Sequence, residues 1–121
     1  MFAPIFEKVA ADPASTALLG TAPTRLFPAG EAPEGVAYPY ATWAQVGGSP
    51  ENYITNRPDI DLHSIQVDIW AKELSDARDV ARALRDAIEA HAHITRWRGE
   101  SRDPETGSYR ISFDADWYVH R

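Results

Sequence analysis

The chain has 121 residues, 44% of them hydrophobic and 25% charged, which is material for one domain with one packed core and is too ordinary for a disordered or fibrous protein. Eighteen acidic residues against twelve basic ones give a net charge of −6, which opposes a stable, sequence-independent grip on a phosphate backbone. The lack of cysteine excludes disulfides, thiolate nucleophiles and cysteine-ligated zinc or iron–sulfur centres, and fits an intracellular setting.

Near the N-terminus, Phe2, Ile5, Phe6, Val9 and Ala10 fall at the spacing of one helix face, so a short helix is expected there. This segment has no basic region followed by an apolar stretch, and no apolar run approaches the roughly 18 residues that cross a bilayer, so export and membrane insertion are not expected. Asp12 as N-cap and Pro13 at the first helical position start a second short helix at 13–19, which Gly20 ends. Residues 21–37 carry Pro23, Pro28, Gly30, Pro33 and Gly35 around a single apolar pair, Leu26 and Phe27, which predicts a brief strand in irregular chain. Residues 38–46 are aromatic and β-branched, the composition of a strand that starts after Pro39 and stops at Gly47 and Gly48.

A second long connection is expected over 48–61, where Pro50, Asn52, Asn56 and Pro58 accompany Tyr53. Residues 62–71 alternate, with Ile65, Val67 and Ile69 on one face and Gln66, Asp68 and Trp70 on the other, as in a strand with one face on a core. Ala77, Val80, Ala81, Leu84 and Ile88 form a helical stripe behind Ser75 as N-cap, which predicts a long helix over 75–91. Two closing strands, near 94–99 and 109–119, flank the turn-rich segment 102–107, and Tyr109, Ile111, Phe113, Ala115, Trp117 and Val119 share one face of the last. This order predicts a single α+β domain over residues 1–121: an antiparallel or mixed sheet of about four main strands, one long helix on one face and short N-terminal helices.

Few residues are spaced as a catalytic or metal site requires. His91 and His93 are two residues apart at a helix end and do not share a face, so packing and capping are preferred over metal ligation. No phosphate-binding glycine loop, nucleophile elbow or cofactor motif occurs, and Gly47 to Pro50 reads as a turn. The strongest catalytic arrangement is Asp68, Asp114 and Asp116, which share a face if their strands pair in register and could support a small metal-dependent hydrolase. Charges at alternating positions of a solvated strand are the simpler reading. Arg78, Arg82 and Arg85 lie along one side of the long helix among Asp79, Asp86 and Glu89, a solvated face or a subunit contact. Arg96, Arg98, Arg102 and Arg110 gather on the last hairpin and suit a partner protein before nucleic acid. Most aromatics are expected in the core, with Trp70 and Tyr118 opposite the apolar rows as interface candidates.

Taken in order, the helical start MFAPIFEKVAADPASTALLG, the proline-rich loop before AYPYATWAQVGGSPENYI, the segment RPDIDLHSIQVDIWAKELSDARDVARALRDAIE and the closing strand YRISFDADWYV resemble the tail-completion, or tail-terminator, family of phages and prophages. The resemblance implies a non-enzymatic virion subunit without cofactors. Such a subunit assembles as a ring, typically a hexamer, at the head-proximal end of the tail, with the tail tube protein and a head–tail connector as partners. On this analogy Trp70, Tyr118, Arg78, Arg82 and Arg85 are candidates for lateral subunit contact, and the loops at 28–37, with Glu31 and Glu34, and at 47–61, with Tyr53, are candidates for axial contacts. Another head–tail connector or minor tail component is the alternative within the same class. Stable nucleic-acid binding is not expected, although DNA could pass through such a ring.

Overall fold

The computed structural model describes residues 2–51 and 59–120. The elements run α1 (Ile5–Ala10), α2 (Pro13–Leu19), β1 (Leu26–Pro28), β2 (Tyr40–Pro50), β3 (Ile60–Ala71), α3 (Leu74–Glu89), β4 (His93–Arg102) and β5 (Tyr109–His120). The sheet has five strands in the order β1-β2-β3-β5-β4, where about four main strands were expected. It is mixed: β1 runs parallel to β2, and every other pairing is antiparallel. The fifth strand is the three-residue β1, whose backbone is held on β2 through Leu26 opposite Ala41 and Phe27 opposite Thr42.

Alternation decides which face of the sheet is covered. Ile65, Val67 and Ile69 of β3 and Ile111, Phe113, Ala115 and Trp117 of β5 are buried together beneath Ala77, Val80, Ala81, Leu84 and Ile88 of α3. Ile5 and Val9 of α1 and Leu19 of α2 enter the same core, so the short helices extend the layer that α3 begins. Asp12 caps α2 as its sequence position predicts, accepting a hydrogen bond from the Ser15 backbone N–H at 3.0 Å, with Pro13 in the first turn.

Three local expectations are corrected. Strand β2 does not stop at Gly47 and Gly48 but runs on to Pro50, and the pairing with β3 shifts register between Gln45 and Gly47, leaving Val46 as an extra residue. Glycine permits this continuation, because a Cβ at position 48 would lie 2.4 Å from the Leu62 carbonyl oxygen. Helix α3 starts at Leu74 with Glu73 as its N-cap, so Ser75 lies inside the helix. Leu74 is three residues before Ala77 on the buried stripe, and its half-burial draws the first turn back toward Glu73, whose carbonyl accepts from the Ala77 N–H. On α1, Ile5 and Val9 are buried, whereas Phe6 is 45% exposed and Phe2, ahead of the helix, is 70% exposed. A helix of six residues can turn only one narrow stripe inward.

Candidate functional site

The face of the sheet opposite the helices is polar. Asp68, Asp114 and Asp116 do share it, because β3 and β5 pair with Gln66 opposite Asp114, Ser64 opposite Asp116 and Asp68 opposite Ser112. Each carboxylate has a structural partner. Asp68 accepts from Arg110 Nη2 at 2.9 Å and from the buried Ser112 hydroxyl, Asp114 accepts from Arg98 Nε at 2.9 Å, and Asp116 accepts from Ser64 Oγ at 2.9 Å. Arg98 and Arg110, expected to gather with Arg96 and Arg102 for a partner, are spent on these acids. Arg102 lies instead over the Tyr109 ring at 5.8 Å. The geometry is a set of cross-strand clamps that fix the register of β3, β5 and β4. Among the described residues no three His, Asp or Glu side chains are grouped as a metal site would need.

Trp70 is half-buried on this polar face, with its ring 6.3 Å from Tyr40 and nearly parallel to it, and with the Arg110 guanidinium 5.3 Å above it. Burial pushes the Tyr40 phenol above its ordinary pKa, with a smaller push from Tyr38. Tyr118, on the same face and 47% exposed, takes the edge of His93, while His91 stacks on the buried Trp117. The two histidines therefore pack on aromatic rings on different sides of the sheet. Tyr53 lies outside the described residues.

The arginines of α3 open onto a groove between that helix and the edge strand β4. Arg78, Arg82 and Arg85 form one wall, Glu100 stands across from them, and Trp97 and Ile111 make the floor of a space of about 370 Å³. Arg78 donates to both Glu100 oxygens, at 2.7 and 2.9 Å, and this pairing holds the Glu100 carboxyl below the usual carboxylate range. Trp97, expected in the core with most of the aromatics, stands at its rim. It packs one side against Phe113, with ring centroids 5.0 Å apart, yet stays 48% exposed because β4 is the last strand and α3 does not reach beyond it. The signal available in the sequence was the charge around it: Arg96, Arg98 and Glu100 mark an edge strand. Glu31 and Glu34 are exposed in the loop that joins β1 to β2, the two strands on the opposite side of the sheet.

The sequence profile of the family described as tail completion protein gp17 matches residues 3–120. The chain belongs to this family. The match begins and ends within a few residues of the two ends of the sequence, so the whole sheet and helix layer is the tail-completion fold. Among solved structures, a chain from the virion of a native gene transfer agent (GTA) particle shares that fold with a TM-score of 0.75 and 18% sequence identity, covering 97% of this chain and 92% of its own. No curated protein sequence matches the chain. Family membership makes this tail-completion chain a structural protein of a phage-type tail, a class defined by assembly and not by catalysis. No helix among the described residues is long and apolar enough to cross a membrane.

Proposed function

We propose that this tail-completion subunit is a tail terminator: it assembles as a ring, caps the head-proximal end of the tail tube and presents a surface to the head–tail connector. The observation that carries this reading is the extent of the family match, residues 3–120, which takes in every element from α1 to β5. The fold it shares with a chain of a gene transfer agent virion supports a place in a phage-like or GTA-like particle. The engagement of Asp68, Asp114 and Asp116 in clamps supports a scaffold role for the carboxylates in preference to hydrolysis.

The ring would present its subunits edge to edge, as a sheet with two different edges allows, and the long β2–β3 arm beyond Gly47 would reach toward the tube or connector. Incubating the purified protein with tail tubes and imaging by negative-stain electron microscopy tests the function. A ring-shaped cap at one end of each tube, with tube growth halted when tube subunits are added, is the expected result. Tubes that keep growing and carry no cap would remove the terminator reading and leave the alternative of another connector component, which would bind connector rings in the same assay.

A further inference from the structure

We infer that the groove between α3 and β4 receives the Glu31–Glu34 loop of a second copy of this chain, so that neighbouring subunits join head to tail across opposite edges of their sheets. The inference rests on the ring reading above and specifies its lateral contact. Loop 28–37, a candidate for axial contact on the family analogy, is taken here as lateral because of where it is attached in the sheet. The loop joins Pro28 of the edge strand β1 to Tyr40 of its neighbour β2, so both of its ends are anchored on the β1–β2 side of the sheet. The groove belongs to β4, four strands away at the other side. A contact between two different surfaces is heterologous, and such contacts generate rings when the rotation closes.

Charge complementarity selects the occupant. The groove lining holds three guanidiniums, Arg78, Arg82 and Arg85, and one carboxylate, Glu100, leaving two positive charges in excess. Residues 29–37 contain two acids, Glu31 and Glu34, and no basic residue. Both glutamates are exposed, and neither is within ion-pair distance of a basic group among the described residues. Arg82 and Arg85 also meet Asp79, Asp86 and Glu89 along their own helix, at 3.4, 2.9 and 3.8 Å, but all of these groups are well solvated and such pairs exchange at little cost. The groove floor adds an apolar anchor, since the outer side of Trp97 is free and the loop carries Pro33, itself exposed, between its two acids.

The edge of β4 itself is poorly suited to adding a strand. Its pairing to β5 shifts register twice, between Ile94 and Arg96 and between Trp97 and Gly99, and the strand carries the charged side chains Arg96, Arg98 and Arg102. A neighbour is therefore held by side chains in the groove and not by continuation of the sheet.

The chain has no native cysteine, so a designed pair reports the contact without competition. Light scattering of the wild type, alone and with tail tubes, first establishes assembly. In the assembled protein, a variant carrying both Glu34→Cys and Arg82→Cys should form covalent ladders longer than a dimer on oxidation, whereas either single substitution should not. Reversing the loop with Glu31→Arg and Glu34→Arg should weaken association about tenfold or more, and adding Arg82→Glu and Arg85→Glu to the same chain should restore it. If the wild type assembles while the loop reversal leaves assembly unchanged and the cysteine pair yields only monomers, this docking is overturned and the ring survives. If the wild type stays monomeric even on tubes, the ring reading falls, and the docking with it.

Discussion

Arg78 of α3 and Glu100 of β4 form a two-pronged ion pair, Nε to Oε2 at 2.7 Å and Nη2 to Oε1 at 2.9 Å, that spans the mouth of the groove. The pair ties the helix to the edge strand where the sheet has no further strand to support it.

Glu100 is held below the ordinary carboxylate pKa of 4.5 chiefly by its hydrogen bonds from Arg78. A carboxyl whose folded pKa is depressed contributes stability that is present above its unfolded pKa and is lost as pH falls through the folded value. Arg78→Gln should therefore raise the Glu100 pKa toward 4.5 and flatten the acid side of the stability curve, with helical content at neutral pH unchanged. Carboxyl-carbon NMR titration of the two proteins reads the first effect directly. An unmoved Glu100 titration would show that the pair does not persist in solution.

Asp68 sits between β3 and β5, accepting from Arg110 and from the Ser112 hydroxyl, which is buried. Asp68→Ala leaves that hydroxyl without its acceptor and frees the arginine, at a cost of about 1–3 kcal/mol in chemical denaturation. Asp68→Asn keeps one acceptor oxygen and should fall at the lower end. Magnesium or manganese should leave the melting temperature of the wild type unchanged. A metal-dependent rise abolished by Asp68→Ala would reopen the hydrolase reading.

Trp70 combines a stacked ring contact with Tyr40 and a cation–π contact with Arg110, so its removal should be felt first as lost stability. Each of these contacts is worth about 0.5–1.5 kcal/mol. Because burial is the larger cause of the raised Tyr40 pKa, Trp70→Ala should bring that phenol back toward 10.0. Ultraviolet absorbance titration of the tyrosines follows the change. A normal Tyr40 titration in the wild type would contradict the packing.

The elements were legible in the sequence where one force dominates. The β3 alternation of Ile65, Val67 and Ile69 and the α3 stripe ending at Leu84 and Ile88 each follow from burying one face, and Asp12 with Pro13 carries its own start signal. The identity of the family was legible too, through the order and spacing of these segments. What the local pattern could not express was position within the sheet. Trp97 comes three residues after Ile94 and shares its face only through a register shift, and it is the strand order that leaves its strand without an outer neighbour. The groove is similarly non-local, since Arg78 and Glu100 are 22 residues apart. Gly47 and Gly48 misled for the opposite reason: glycine punctuates most strands, but here it lets two strands approach.

That approach sets the last prediction. Gly48 is opposite His63 in the β2–β3 ladder, and a Cβ there would come within 2.4 Å of the Leu62 carbonyl oxygen and 3.5 Å of the His63 Cα. The obstruction is backbone, which cannot swing aside as a side chain would, so Gly48→Ala must spread the ladder or shift its register. A register shift by one residue would exchange the faces of every residue beyond the bulge, including the buried His63, so spreading is the cheaper response. The expected cost is on the order of 1–3 kcal/mol. Faster amide hydrogen exchange should be confined to residues 47–50 and 60–64, with β3 protection beyond Ile65 retained. Gly47→Ala is the matched control, because its Cβ would meet only the Ser64 Cβ, at an ordinary 3.9 Å. Equal effects of the two substitutions would mean that loss of glycine flexibility, and not the close approach of β2 to β3, determines how this arm is built.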